Sequence, residues 1–106
     1  MIYTIMSNAE LNNEPDNMCC FIYETEWNNI YNTNVGAKKI FAKIELNGIT
    51  IRCVLGQPVS DLLIQDTSIS SIFLPAWAFT TLKSVGVGDS VNVEWYSEES
   101  TSYGDQ

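Results

Sequence analysis

The feature that most narrows the choice of fold is the dipeptide Asn47-Gly48, set between two alternating runs in Lys39 to Leu55, KIFAKIELNGITIRCVL. A two-residue type I′ turn needs positive φ at both central positions, and Asn followed by Gly meets that need with least strain. Placing the turn there fixes the register. Leu46 faces Ile49, Ile44 faces Ile51, Ala42 faces Cys53 and Ile40 faces Leu55, and every member of that face is apolar. The other face carries Lys39, Phe41, Lys43 and Glu45 against Thr50, Arg52 and Val54. One face is core and the other mostly solvent, the pattern of an antiparallel pair covering a hydrophobic interior. Lys43 opposite Arg52 is a like-charge pair, and Glu45, diagonal to Arg52, offsets it. Cys53 lies on the core face and reads as a small buried hydrophobe.

The rest of the chain shows period two or short β-branched runs more than a helical period, so it is mostly strand. Ile2 to Met6, IYTIM, reads as a first strand, and Ser7 to Asn17 as a polar loop. Met18 to Trp27, MCCFIYETEW, reads as a second strand, and the Asn-rich Asn28 to Ala37 as another loop. Pro58 and Ser60-Asp61 can start a short helical turn through Leu62, Leu63 and Ile64, ahead of a polar Asp66 to Ser71.

From Ile72 the sequence runs IFLPAWAFTTLKSVGVGDSVNVEW to Trp95. Ile72 to Leu74 closes a buried strand, and Pro75 suits the first position of a helix rather than a ladder. Ala76 to Lys83 then supplies about two helical turns. Ala76, Phe79 and Leu82 are spaced to dock on a sheet, and Lys83 at the helix end suits the dipole. Gly86 and Gly88 let the backbone reverse, and the Asp89 carboxylate can accept from turn amides. Val91, Val93 and Trp95 alternate with Ser90, Asn92 and Glu94 in a half-exposed strand.

Strand, proline, short helix, Gly-Asp turn and strand together resemble the second half of a double-psi β-barrel. More narrowly, Leu74, Pro75, Trp77, Leu82, Gly88, Val91 and Val93 resemble the N-terminal domain of the Ufd1 family, substrate-recruiting cofactors of the Cdc48 ATPase. The resemblance covers Ile72 to Trp95 well. It implies a pseudo-symmetric six-stranded barrel with short helices that binds ubiquitin or polyubiquitin and catalyses nothing. The family's ATPase-binding segments lie beyond that domain, so the expectation here is a stand-alone barrel.

The 106 residues fit one domain, and 45% hydrophobic composition suits a globular core. The expected layout is a single β-barrel domain over residues 1–96 and a flexible acidic tail over 97–106, SEESTSYGDQ, which lacks apolar anchors. No run approaches the roughly 18 apolar residues of a membrane span, and the N-terminus lacks the basic and apolar regions of a signal peptide. Cys19, Cys20 and Cys53 make a poor disulfide framework and suit free thiols in a reducing compartment. The expected location is cytoplasmic, or a virion for a viral particle component. Thirteen acids against five bases give a net charge of −8, which disfavours nucleic acid and anionic membrane as partners.

Chemistry is disfavoured by what the sequence omits. With no histidine, the commonest general base and the Ser-His and Cys-His pairs are gone. Paired-carboxylate catalysis wants Asp, a small hydroxyl residue and glycine, yet Asp66-Thr67 runs into Ser68 and Asp89-Ser90 into Val91. No Gly-Ser bond exists to yield a pyruvoyl group, and no Asp-x-Asp to hold magnesium. The expectation is therefore a protein without catalytic residues, metal or cofactor. Its partner is a protein, either ubiquitin-like or another copy of the chain. Candidate contact residues are Trp77, Gly86, Gly88 and Asp89, with Trp27 as a surface anchor, since Trp is enriched in binding hot spots. For Trp77 the competing expectation is a packing role over the barrel, and Trp95, in phase with Val91 and Val93, is expected in the core. The alternative function is a structural or assembly subunit acting by self-association, such as a viral particle component.

Overall fold

A computed structural model of the chain describes residues 2–11, 18–33, 39–60, 70–83 and 85–98. In chain order its elements are β1 (Ile2–Ser7), a 3-10 turn (Asn8–Glu10), β2 (Cys19–Ile22), α1 (Glu24–Thr33), β3 (Lys39–Leu46), β4 (Ile49–Leu55), β5 (Ser71–Leu74), α2 (Ala76–Leu82) and β6 (Ser90–Glu98). The strands close into a barrel in the order β1-β5-β2-β4-β3-β6. The pairs β1–β5 and β2–β4 are parallel, and the others antiparallel. Replacing each strand by the one three places along returns the same ring of neighbours and the same two parallel pairs. The topology thus has a pseudo-two-fold, with β2-α1-β3 matching β5-α2-β6, and the fold is a small closed barrel of double-psi type with two short helices.

The hairpin has the expected register, Leu46↔Ile49 through Phe41↔Val54, with Lys43 opposite Arg52. Asn47 and Gly48 take φ of 55° and 80°, as the turn requires. Inward residues of all six strands form one core, including Tyr3, Ile5, Cys20, Ile22, Ile40, Ala42, Ile44, Cys53, Ile72, Leu74, Val91 and Val93. Cys53 is buried in it, at 1% exposure.

The N-terminal half departs from the reading of its sequence. The second strand stops at Ile22 instead of reaching Trp27, and the expected loop from Asn28 is helical to Thr33. Tyr23 makes an isolated parallel bridge to Val59 before the chain turns into α1. Glu24 and Glu26 sit in the first turn, where they complement the helix dipole. Trp27, Ile30 and Tyr31, at helical spacing, are the residues that pack on the core. The alternation of Tyr23, Thr25 and Trp27 with Glu24 and Glu26 imitates a strand and hides that stripe.

α2 also differs in detail. Its buried residues are Ala78 and Leu82, whereas Ala76 is exposed and Phe79 half-buried. Strand β6 runs on to Glu98, two residues into the expected tail. The helical turn suggested for Leu62 to Ile64 and the tail from residue 99 lie outside the described residues.

Candidate functional site

One chain of hydrogen bonds runs from the core to α1. Trp95 Nε1 donates to Tyr3 Oη at 2.9 Å, and Tyr3 Oη donates to Glu26 Oε2 at 2.7 Å. The Tyr3 and Trp95 rings meet edge-on, 5.8 Å between centroids. Burial, then the bond to Glu26, hold the Tyr3 phenol far above its ordinary range. The hydrogen-bonded chain ties α1 to β1 and β6. Among the described residues no group of three or more His, Cys, Asp or Glu side chains is placed to hold a metal ion.

The residues singled out in the sequence fall into two places. Trp27 lies on α1, half-buried, with Nε1 donating to the Gly56 carbonyl at 2.9 Å and its ring 4.3 Å from that of Tyr31. Trp77 lies on α2, also half-buried and packed against the core. Both tryptophans therefore spend much of their surface on the barrel. Trp95, expected in the core, is half-buried against it.

Gly86 to Asp89 form a turn held from within. The Gly86 amide donates to Asp89 Oδ2 at 2.8 Å, the Asp89 amide donates to the Gly86 carbonyl at 3.1 Å, and Gly88 takes φ of 99°. The turn is also tied to β1, since the Gly88 amide donates to the Ile5 carbonyl and the Ile5 amide to the Asp89 carbonyl, each at 2.8 Å. This double anchoring presents Val87 outward at 53% exposure.

A second surface, on the outer wall, was not singled out from the sequence. Tyr96, Phe41, Val54 and Cys19 are successive register neighbours across β6, β3, β4 and β2. Their inward-facing neighbours are core residues, so this row faces out, and each member is half-buried. The Phe41 and Tyr96 rings stack at 5.4 Å and 16°, and the Arg52 guanidinium lies 5.9 Å from the Tyr96 centroid. Beside this row runs a charged one, Glu94–Lys43–Arg52, in the same registers. Phe41 and Val54 were visible as the apolar exceptions on the hairpin's polar face. Tyr96 gave no signal, because only the long-range β3–β6 pairing brings the two rings together.

No protein-family model, curated protein or solved structure matches the chain. The closed barrel implied by the Ile72–Trp95 resemblance is present, and no relative ties the chain to the Ufd1 family itself. Among the described residues no helix is long and apolar enough to cross a membrane.

Proposed function

We propose that this chain is a non-catalytic protein-binding barrel. The observation that carries the reading is the stacked Phe41–Tyr96 pair, half-open on the outer wall beneath Arg52. Aromatic and arginine side chains of this kind supply much of the binding energy of protein interfaces. Closure of the barrel supports it further. A closed sheet offers no free edge for strand addition, so a partner has walls and turns to hold.

Ubiquitin, or a client carrying it, is the first partner to test, because the Ile72–Trp95 stretch resembles a ubiquitin-binding barrel and the turn at its centre presents Val87. The chain's net charge of −8 suits a basic-rimmed partner through on-rate and specificity. Titrating the unlabelled protein into isotope-labelled ubiquitin should shift a compact set of ubiquitin amides, less at high salt. The reverse titration, with the barrel labelled, separates the wall around Phe41 and Tyr96 from the Gly86–Asp89 turn. Unchanged ubiquitin spectra at millimolar protein would remove ubiquitin as the partner.

The second reading is a structural subunit that associates with itself. Lys39, Lys43 and Arg52 are three of the chain's five bases and share strands β3 and β4 with Phe41. That wall can meet acidic groups of another copy in a head-to-tail contact, which builds rings or filaments. A single monomeric species across a wide concentration range in sedimentation velocity rules this out.

A further inference from the structure

The seam between β2 and β4 holds two thiols on its inner side. Cys20 is the register partner of Leu55, and Cys53 sits two residues before Leu55 on the same inward face. Both are buried, at 0% and 1% exposure, and both are free thiols. Hydrogen bonding with Cys53, then burial, raises the Cys20 thiol well above its ordinary range, and the same interaction draws Cys53 downward against its own burial. Cys19 lies on the opposite face, half-exposed on the outer wall.

β2 is the most sparingly paired strand of the barrel: two register pairs join it to β4, Cys19↔Val54 and Cys20↔Leu55, and two join it to β5, whereas β3 and β4 share six. Short pairings of this kind open locally at lower free energy than the rest of a fold. Opening here exposes Cys20 and Cys53 together. A two-residue offset on strands about 4.8 Å apart puts the two Cα atoms roughly 8 Å from each other, beyond the span of a relaxed disulfide. Bond formation therefore draws the two strands together.

We propose that Cys20 and Cys53 are a dithiol that closes, under peroxide, to an intrachain disulfide fastening β2 to β4. The Cys53 thiolate sulfur attacks one peroxide oxygen, the O–O bond breaks, and the departing hydroxide takes up the proton released by Cys53 and leaves as water. The Cys20 sulfur then attacks the resulting sulfenic sulfur. The S–S bond forms as the S–O bond breaks, and hydroxide leaves with the Cys20 proton as a second water. Two electrons pass from the thiols to the peroxide. The bond locks the strand that carries Cys19 and Phe21 to the strand that carries Val54, so it also stiffens the outer wall.

The test is intact-mass analysis and disulfide mapping of the full chain after hydrogen peroxide, with free thiols alkylated in denaturant. The expected product has lost two hydrogens, keeps one alkylatable thiol at Cys19, and yields a Cys20–Cys53 linked peptide. Its thermal midpoint lies above that of the reduced protein, and a Cys19→Ser variant gives the same bridge. Three alkylatable thiols after peroxide, a bridge or dimer through Cys19 as the main product, over-oxidation of Cys20 or Cys53 without a bridge, or an unchanged midpoint each overturn the proposal. The mapping on the unsubstituted chain decides the case without a core variant.

Discussion

Replacing Tyr3 by Phe removes one oxygen from the barrel and tests whether the Trp95–Tyr3–Glu26 chain holds α1 in place. The ring stays, so the edge-on contact with Trp95 at 5.8 Å is kept. Two hydrogen bonds go, the 2.9 Å bond from Trp95 Nε1 and the 2.7 Å bond to Glu26 Oε2. A part-buried indole N–H left without an acceptor costs about 1–3 kcal/mol, and a bond to a charged acceptor is worth about 1.5–3 kcal/mol. Both bonds are part-buried, so water recovers some of each. The expected loss is then about 2–3 kcal/mol in urea unfolding followed by two probes. At about 4–8 °C per kcal/mol for a domain of this size, the thermal midpoint falls by about 10–20 °C. Glu26→Ala alone should cost about 1 kcal/mol and add little in the Tyr3→Phe background, since the two share one bond. The pH dependence gives an independent check. The folded-state pKa of Tyr3 is raised above its unfolded value near 10, so folded protein keeps a proton that unfolded chains release. Stability is full below pH of about 10 and falls as pH rises toward the folded value. Tyr31, raised by burial, acts in the same direction. Tyr3→Phe should flatten that alkaline decline. A change within about 0.5 kcal/mol, or strict additivity with Glu26→Ala, would refute the bracing role.

Val93 is 1% exposed between β3 and β1, and Val93→Asp should abolish the folded state by burying an unpaired charge. A dispersed amide spectrum for that variant would show that the strand does not face the core. Asp89→Ala removes the acceptor for the Gly86 amide in an exposed turn and should cost about 1 kcal/mol, with amide changes confined to the turn and its β1 contacts. A Cβ at Gly56 would lie 2.5 Å from Phe21 Cε2, so Gly56→Ala should cost about 1–3 kcal/mol, measured by urea midpoint. The smaller side chain of Phe21→Leu should restore part of that loss, and no recovery would mean that the backbone, not the ring, resists the change.

The chain from Lys39 onward was legible because its signals are local. Asn47-Gly48 sets a turn and a register by φ alone, and Pro75, Gly88 and Asp89 each mark a boundary that depends on few neighbours. The first half offers no such marks. Tyr23 stands at the entry to α1 without a helix-starting side chain of the usual kind, and the run before it alternates like a strand. The pseudo-two-fold was implied only by resemblance, since β2-α1-β3 and β5-α2-β6 share an architecture without sharing a readable motif. Burial within α2 was also misassigned. Leu82 is buried as expected, but the helix lies along β4, and the direction from which a sheet approaches puts Ala78 rather than Ala76 and Phe79 beside it in the core.

The same distinction explains which candidate site could be seen. The Gly86–Asp89 turn is a local structure, so its anchoring Asp89 was identifiable from spacing. The wall of Phe41, Tyr96 and Arg52 is made by three strands, two of them in the hairpin and the third near the end of the chain. Each residue alone is unremarkable there: an outward Phe, a Tyr beyond the last core valine, an Arg opposite a Lys. Barrel closure turns them into one surface, because β6 must pair with β3 to complete the ring. Closure also removes the free edges by which open sheets recruit strands. Under the proposed protein-binding role, recognition falls to side chains on the wall and turns, and substitutions such as Phe41→Ser should weaken a partner without unfolding the barrel.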